Sequence, residues 1–254
     1  MVNTKIKKII DSDCNNVAIF VDYDNIYYGL SEYGINLENE RFDIFHIMNE
    51  LYEFDKIRVM KAFADFEQIK VSLRHLQEKR VQIHNVYGNN AIEKNRKNAS
   101  DIELSINAIE TCYNNPNIDT FVFITSDSDM IPIMSKMLFY GKKVHLYSIK
   151  ENTNKIIDNY CNLAVDLIEL LDIDTRRKQP EFWIEDFKKI FIEFYENPNN
   201  KSKILTNKWL IERIQQKIYM SYGASVRLIQ SMLDLGVIEK TESNQFYGYK
   251  LKED

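Results

Sequence analysis

The sequence predicts an α/β protein: a doubly wound, mostly parallel sheet followed by a small C-terminal winged-helix-like domain. Three observations lead there. Five short apolar runs alternate with segments of helical length, acids recur where those runs end, and both composition and charge change near residue 175.

The runs are residues 17–22 (VAIFVD), 57–63 (IRVMKAF), 81–87 (VQIHNVY), 120–125 (TFVFIT) and 142–148 (KKVHLYS). Each is rich in Val, Ile and Phe with little polar alternation, as expected of strands covered on both faces. Helices are expected near 25–33, 40–54, 66–79, 100–113 and 129–140, and strand–helix–strand units of this kind close with right-handed crossovers. In the helix at 100–113, Ile102, Ile106 and Ile109 stand at i, i+4 and i+7, a spacing that predicts one buried stripe. Pro132 opens the helix at 129–140.

The chain of 254 residues is 44% hydrophobic and 28% charged, enough to bury a large core. No apolar run approaches the ~20 residues of a membrane span, and the N-terminus lacks a signal-peptide pattern. Cytoplasmic residence is therefore expected. Cys14, Cys112 and Cys161 are odd in number and lack metal-ligand spacing, which argues against a disulfide framework or a zinc site. His46, His75, His84 and His145 are scattered, and packing or surface roles are expected of them.

Residues 1–175 hold 19 Lys+Arg against 27 Asp+Glu, whereas residues 176–254 hold 14 against 11. The break at DIDTRRKQPEF places a boundary between domains 1–175 and 176–254.

Ligands of a doubly wound sheet bind beyond the carboxyl ends of its strands, where strand order reverses. Asp22 ends the first strand, with Asp24 and Asn25 after it. Thr125, Ser126, Asp127 and Asp129 follow the fourth, and Asp101 opens a helix. If the first and fourth strands are neighbours, these acids face one another. Grouped carboxylates raise one another's pKa unless a cation lies among them, and an all-oxygen donor set suits Mg2+ or Mn2+. Such ions activate water against a phosphodiester. Taken singly, Asp101 and Asp129 also read as acids that complement a helix N-terminus.

FVDYDN at 20–25, SDIELSINA at 100–108 and FITSDSDMIPIMSKMLFYGKKVHLYS at 123–148 resemble the three signature blocks of NYN domains, a branch of the PIN-like nucleases. The resemblance covers about residues 15–165. It implies a PIN-like fold and a Mg2+- or Mn2+-dependent ribonuclease. Asp22, Asp101, Asp127 and Asp129 would be the catalytic, metal-binding acids. Asn25 would orient Asp22 or the substrate phosphate, and Thr125, Ser126 and Asp24 would support the site. Two positions depart from the family pattern. Asn107 stands where a second helix Asp is common, and Tyr23 stands where Gly is usual. Asn107 keeps open a weak or inactive nuclease that still binds RNA. A haloacid-dehalogenase-type phosphatase also remains open, through Asp22-Tyr23-Asp24 read as D-x-D.

RNA, single-stranded or structured, is the expected partner. Lys94, Arg96 and Lys97 precede Asp101 and are candidate phosphate contacts, while Tyr23, Tyr27, Tyr28 and Tyr87 are candidate stacking platforms. Three amphipathic segments at 182–197, 206–219 and 224–236, then a hairpin at 237–251, follow the plan of a winged helix. There Arg227 and Gln230 lie on the recognition helix, and Lys240 and Lys250 on the wing. This domain is expected to bind RNA or to mediate a homodimer or partner contact.

Overall fold

The computed structural model describes residues 6–7, 10, 14–69, 71–86, 98–200, 203–243 and 246–252. The chain divides into two compact units, Met1–Gly29 with Leu37–Ile173, and Leu30–Asn36 with Asp174–Asp254.

The larger unit is built on strands β1 (Val17–Asp22), β2 (Ile57–Ala64), β3 (Gln82–Asn85), β4 (Thr120–Ile124), β5 (Lys143–Ser148) and β6 (Leu163–Asp166). All pair in parallel, in the spatial order β3-β2-β1-β4-β5-β6. The expected β1–β4 neighbourhood is present, so strand order reverses between the two strands whose ends carry the acids. β6, an edge strand of four residues, was not among the expected strands. The intervening helices are α1 (Tyr23–Ser31), α2 (Ile44–Tyr52), α3 (Leu73–Glu78), α4 (Asn98–Asn114) and α5 (Ile131–Phe139), with a short α6 (Leu167–Leu170) after the sheet.

Every residue of β1 and β4 is buried, as their unbroken apolar character requires. On one face Phe20 stacks between Phe121 and Phe123, with centroids 6.0 and 5.9 Å away. Leu104 and Ala108 of α4 and Met134 and Met137 of α5 close that layer. Side chains alternate along β5, so Val144 and Leu146 join this core while His145 and Tyr147 project to the opposite face. There the Tyr52 hydroxyl lies 2.8 Å from His145 Nδ1 and 3.0 Å from the Tyr147 hydroxyl. Burial pushes His145 down to about 4. Asp43 caps α2, accepting the N–H groups of Phe45 and His46, and its buried carboxylate also meets His75 Nε2 (2.9 Å) and Lys79 Nζ (3.5 Å).

The stripe expected on α4 is corrected by the packing. Ile102, Ile106 and Ile109 are 58, 47 and 37% exposed, while Ser100, Leu104, Asn107, Ala108, Thr111 and Cys112 are the buried positions. Mostly small side chains face the sheet, which lets helix and strands approach closely.

In the smaller unit, α7 (Ile184–Glu196), α8 (Asn207–Lys217) and α9 (Tyr222–Asp234) precede a hairpin of β7 (Ile238–Ser243) and β8 (Phe246–Leu251). Leu205 bridges antiparallel to Tyr249, and Trp183, Phe187, Phe191, Leu210 and Leu228 lie in the core. Arg177 donates to the carbonyls of Tyr33 and Gly34 at 2.7 and 2.8 Å and lies 4.7 Å from the Trp183 ring. Gly34 has φ +59°, and a Cβ there would stand 2.6 Å from the Ile218 carbonyl oxygen and 2.8 Å from the Trp183 ring. Among the described residues no helix is long and apolar enough to cross a membrane.

Two outcomes are expected. Gly34→Ala should lower stability by roughly 1–3 kcal/mol in urea denaturation, since it adds both a left-handed backbone and a clash. His145 titrates lower folded than unfolded. Its contribution is therefore complete above about pH 6.5 and is lost as pH falls towards about 4, on the order of 3 kcal/mol in all. His145→Asn should remove that component of the slope when melting temperature is followed from pH 7 to pH 4. An unchanged slope would rule the assignment out.

Candidate active site

Register builds the centre of the site. Val21 of β1 pairs with Ile124 of β4, so the residues that follow, Asp22 and Thr125, emerge side by side. Thr125 Oγ1 donates to Asp22 Oδ2 at 3.1 Å, and the Thr125 hydroxyl accepts the N–H of Asp127 at 3.1 Å. One hydroxyl thereby ties the first acid to the turn that carries the others. The Asn25 N–H reaches Asp22 Oδ1 at 3.4 Å, and Asn25 Oδ1 accepts the N–H of Ser126 at 2.9 Å. Ser126 Oγ in turn accepts from the Ile149 N–H at 2.9 Å. The ends of β1, β4 and β5 are stitched together by short polar side chains.

Asp127 caps the single 3-10 turn at Ser128–Met130, its Oδ1 accepting the N–H of Asp129 at 2.9 Å. Asp129 is exposed and Asp127 half-buried. Asp101 lies in the first turn of α4 and shares a cavity wall with Asp129. Asp24 Oδ2 accepts the N–H of Asp65 beyond the end of β2, at 3.1 Å.

Electrostatics single out Asp22. It is 3% exposed, and burial, followed by the negative charge of Asp101, pushes its carboxyl up to about 7, against the lowering effect of the Thr125 hydrogen bond. Burial likewise raises Asp24 to about 6. Asp22 and Asp24 thus hold protons close to neutral pH, and a dication beside them would displace those protons. Among the described residues no three His, Cys, Asp or Glu side chains converge on one point as a metal-ligand group. The candidate oxygen donors are the Asp22 carboxylate, which feels the charge of Asp101, the Asp101 and Asp129 carboxylates that share a cavity wall, and Asp127, which is tied to Asp22 through the Thr125 hydroxyl. That set fits Mg2+, which commonly takes one or two carboxylates and fills its remaining positions with water and substrate phosphate.

The other expected residues are distributed more widely. Asn107 points to a separate cluster, where its Oδ1 accepts from Lys61 Nζ at 2.7 Å and its Nδ2 donates to the backbone carbonyl and Oε1 of Glu103 at 2.9 and 3.1 Å. His84 Nδ1 is 4.0 Å from Glu103 Oε1, and burial lowers both Lys61 and His84. Lys61 was missed from the sequence, although a cation inside the apolar run IRVMKAF was a visible signal. Tyr23 is 1% exposed and stacks on Phe45 and Phe66, so it belongs to the core and offers no platform to a base. Tyr28 is exposed, beside half-buried Tyr27. Tyr87, Lys94, Arg96 and Lys97 lie outside the described residues. Arg227 pairs with Glu32, Lys240 is exposed on β7, and Lys250 pairs with Glu239 at 2.9 Å.

The sign of the Asp22 shift gives a measurable consequence. A carboxyl raised on folding contributes its full stability below about pH 3.8 and loses it as pH rises through about 7. In metal-free buffer Asp22→Asn should therefore be more stable than the wild type at pH 8, by up to about 4 kcal/mol, and equal to it near pH 4. Urea denaturation at the two pH values checks this, and equal stability at pH 8 would contradict the burial argument.

An uncharacterized protein of Methanocaldococcus jannaschii is 26% identical over 145 residues, covering 57% of this chain and 56% of its own length, so the chain spans little more than half of that relative. A solved structure of a protein of unknown function from Vibrio parahaemolyticus has a TM-score of 0.45 at 18% identity, covering 61% of this chain and 93% of that one. The NYN domain family matches residues 16–173, a span that contains the whole parallel sheet and each of the four acids, and this chain belongs to that family.

Proposed function

We propose that the protein is a metal-dependent ribonuclease whose site is formed by Asp22, Asp101, Asp127 and Asp129. The observation that carries this reading is the buried Asp22 carboxylate at the strand-order reversal. It is bonded to Thr125 and raised to about 7 in the field of Asp101. Membership of the NYN family, whose fold is nuclease-like, supports the same reading.

Asp22 and Asp101 would hold Mg2+ or Mn2+, with Asp127 and Asp129 at its margin. The bound ion would supply Lewis acidity towards a phosphodiester and a water made acidic enough to attack it. The chain's own contributions are distinct. Thr125 Oγ1 and the Asn25 N–H fix the Asp22 carboxylate, so that it does not rotate as charge develops nearby. Without the ion Asp22 holds a proton near neutral pH, which the ion would displace, so ion binding would tighten as pH rises through about 7. The Thr125–Asp22 hydrogen bond ties the β4 turn to β1, and the Thr125–Asp127 and Asp127–Asp129 bonds fix the shape of that turn.

A second reading, an RNA-binding domain that does not cut, is favoured by the lack of a three-acid convergence among the described residues. Asn107 lends it less support than the sequence suggested, since that amide serves Lys61 and Glu103. The phosphatase reading is weakened because Asp24 already accepts the Asp65 N–H. For the smaller unit, three helices, a bridge and a hairpin support a winged-helix-like module. On its third helix Arg227 is engaged by Glu32 and Gln230 by Asp234, which favours a homodimer or partner contact over phosphate reading.

The test is cleavage of labelled single-stranded, hairpin and transfer RNAs in Mn2+, Mg2+ or EDTA, beside a phosphatase substrate. Asp127→Asn keeps an acceptor for the Asp129 N–H, so the turn should survive. Cleavage should require the dication and fall at least about 100-fold in the variant. Cutting at the wild-type rate by Asp127→Asn would refute the site. RNA binding without cutting selects the second reading, and phosphate release alone selects the phosphatase.

A further inference from the structure

The α4 face that sequence periodicity assigned to the core is open, and it borders the acids. Ile102, Ile106 and Ile109 project from one side of the helix, successive turns placing them in a row. With Ser105 and Met130 they line a cavity of about 280 Å3 whose remaining wall is Asp101 and Asp129. A single cavity therefore joins two acids of the proposed site to an uncharged, largely apolar surface.

We infer that this cavity is a nucleobase subsite beside the scissile phosphate, and that it admits only an unpaired nucleotide. The inference rests on the ribonuclease reading and adds a basis for substrate selection. Polarity decides which part of a nucleotide enters. The row of Ile102, Ile106 and Ile109 offers a phosphate neither a hydrogen bond nor a positive charge, whereas a neutral, flat base loses water against it. Size points the same way, because about 280 Å3 falls just under the ~300–1,000 Å3 of pockets for drug-sized ligands and suits one nucleoside. A base inside a duplex has its faces covered by neighbours and its edge by its partner, so it must be unstacked before it can enter. The Ser105 hydroxyl offers this wall a donor and an acceptor. A second copy of the chain is a poorer occupant. Glu103 and Glu110 flank the row on the same helix and the acids close its end, so an isologous contact would set like charges against each other.

The test uses the full-length chain carrying Asp127→Asn, in Mg2+, with fluorescence anisotropy of a short labelled single-stranded RNA. Versions of the RNA with one abasic nucleotide at each position in turn are compared with the intact strand. One position should raise Kd about tenfold when abasic. Adding Ile106→Ala should raise Kd for the intact strand by a similar factor and make the abasic position nearly silent, because base and side chain act as one contact. Ile106→Phe should bind at least as tightly as Ile106. Ile106 is exposed, and Asp127→Asn keeps the acceptor for the Asp129 N–H, so the variants should fold. Equal Kd for Ile106→Ala and its parent, no position-specific abasic effect, or duplex bound as tightly as single strand would each overturn the subsite. So would a dimer, seen by light scattering, that Ile106→Ala dissociates, since the row would then be an interface between copies. Wild-type cleavage is scored separately. Cutting with no Ile106 dependence sinks the subsite alone, row-dependent binding without cutting sinks the nuclease alone, and a failure to bind RNA sinks both.

Discussion

Everything at the site follows from the pairing of β1 with β4. Because Val21 is in register with Ile124, Asp22 and Thr125 leave the sheet together, and the hydrogen bond between them needs no further arrangement. A slip of one residue would turn Thr125 to the other face and leave a buried carboxylate without its hydroxyl. The pairing is secured from within, since all residues of both strands are buried and Phe20 is held between Phe121 and Phe123. The aromatic stack and the acid thus depend on one register.

The same burial acts with opposite sign on the two sides of the sheet. On the α2 side it keeps His145 neutral, so acid weakens the fold. At the strand ends it keeps a proton on Asp22, so base weakens the fold. Between about pH 4 and 6.5 the two slopes oppose each other, and the wild type should be flatter in pH than either variant alone. A group that costs stability at neutral pH is what a site selected for chemistry would retain, because the layer of Leu104, Met134 and Met137 can offset it.

Strands were legible wherever both faces are buried. VAIFVD and TFVFIT read as continuous apolar runs because they touch protein on both sides. LAVD of β6 is four residues long and mostly half-exposed, and it carries no such signal. Helix periodicity located α4 but not its inward side. The isoleucines formed the stronger pattern, yet Leu104, Ala108 and Cys112 face the sheet, where small residues permit close approach. The acids stood out in the sequence for a related reason, since they directly follow apolar runs or open a helix. What could not be read was their mutual geometry, which depends on Thr125 and Asn25 bonding across strands far apart in sequence. Lys61 escaped because a single cation in a strand carries no partner in the sequence, and its partner Asn107 is 46 positions away.

Position 107 shows how a local departure is to be weighed. Were it an aspartate, as the family resemblance would have it, Lys61 would face that acid in addition to Glu103 and Glu110, whose charges already oppose the lowering of its pKa by burial. The amide keeps the geometry, accepting from Lys61 and donating to Glu103, while removing one charge. Six residues of helix separate it from Asp101, a rise of about 9 Å. The missing charge is therefore balanced chiefly at Lys61, and the field that raises Asp22 comes from Asp101 and Asp24. Loss of an acid at 107 alters the support beneath the site more than the donor set at its centre.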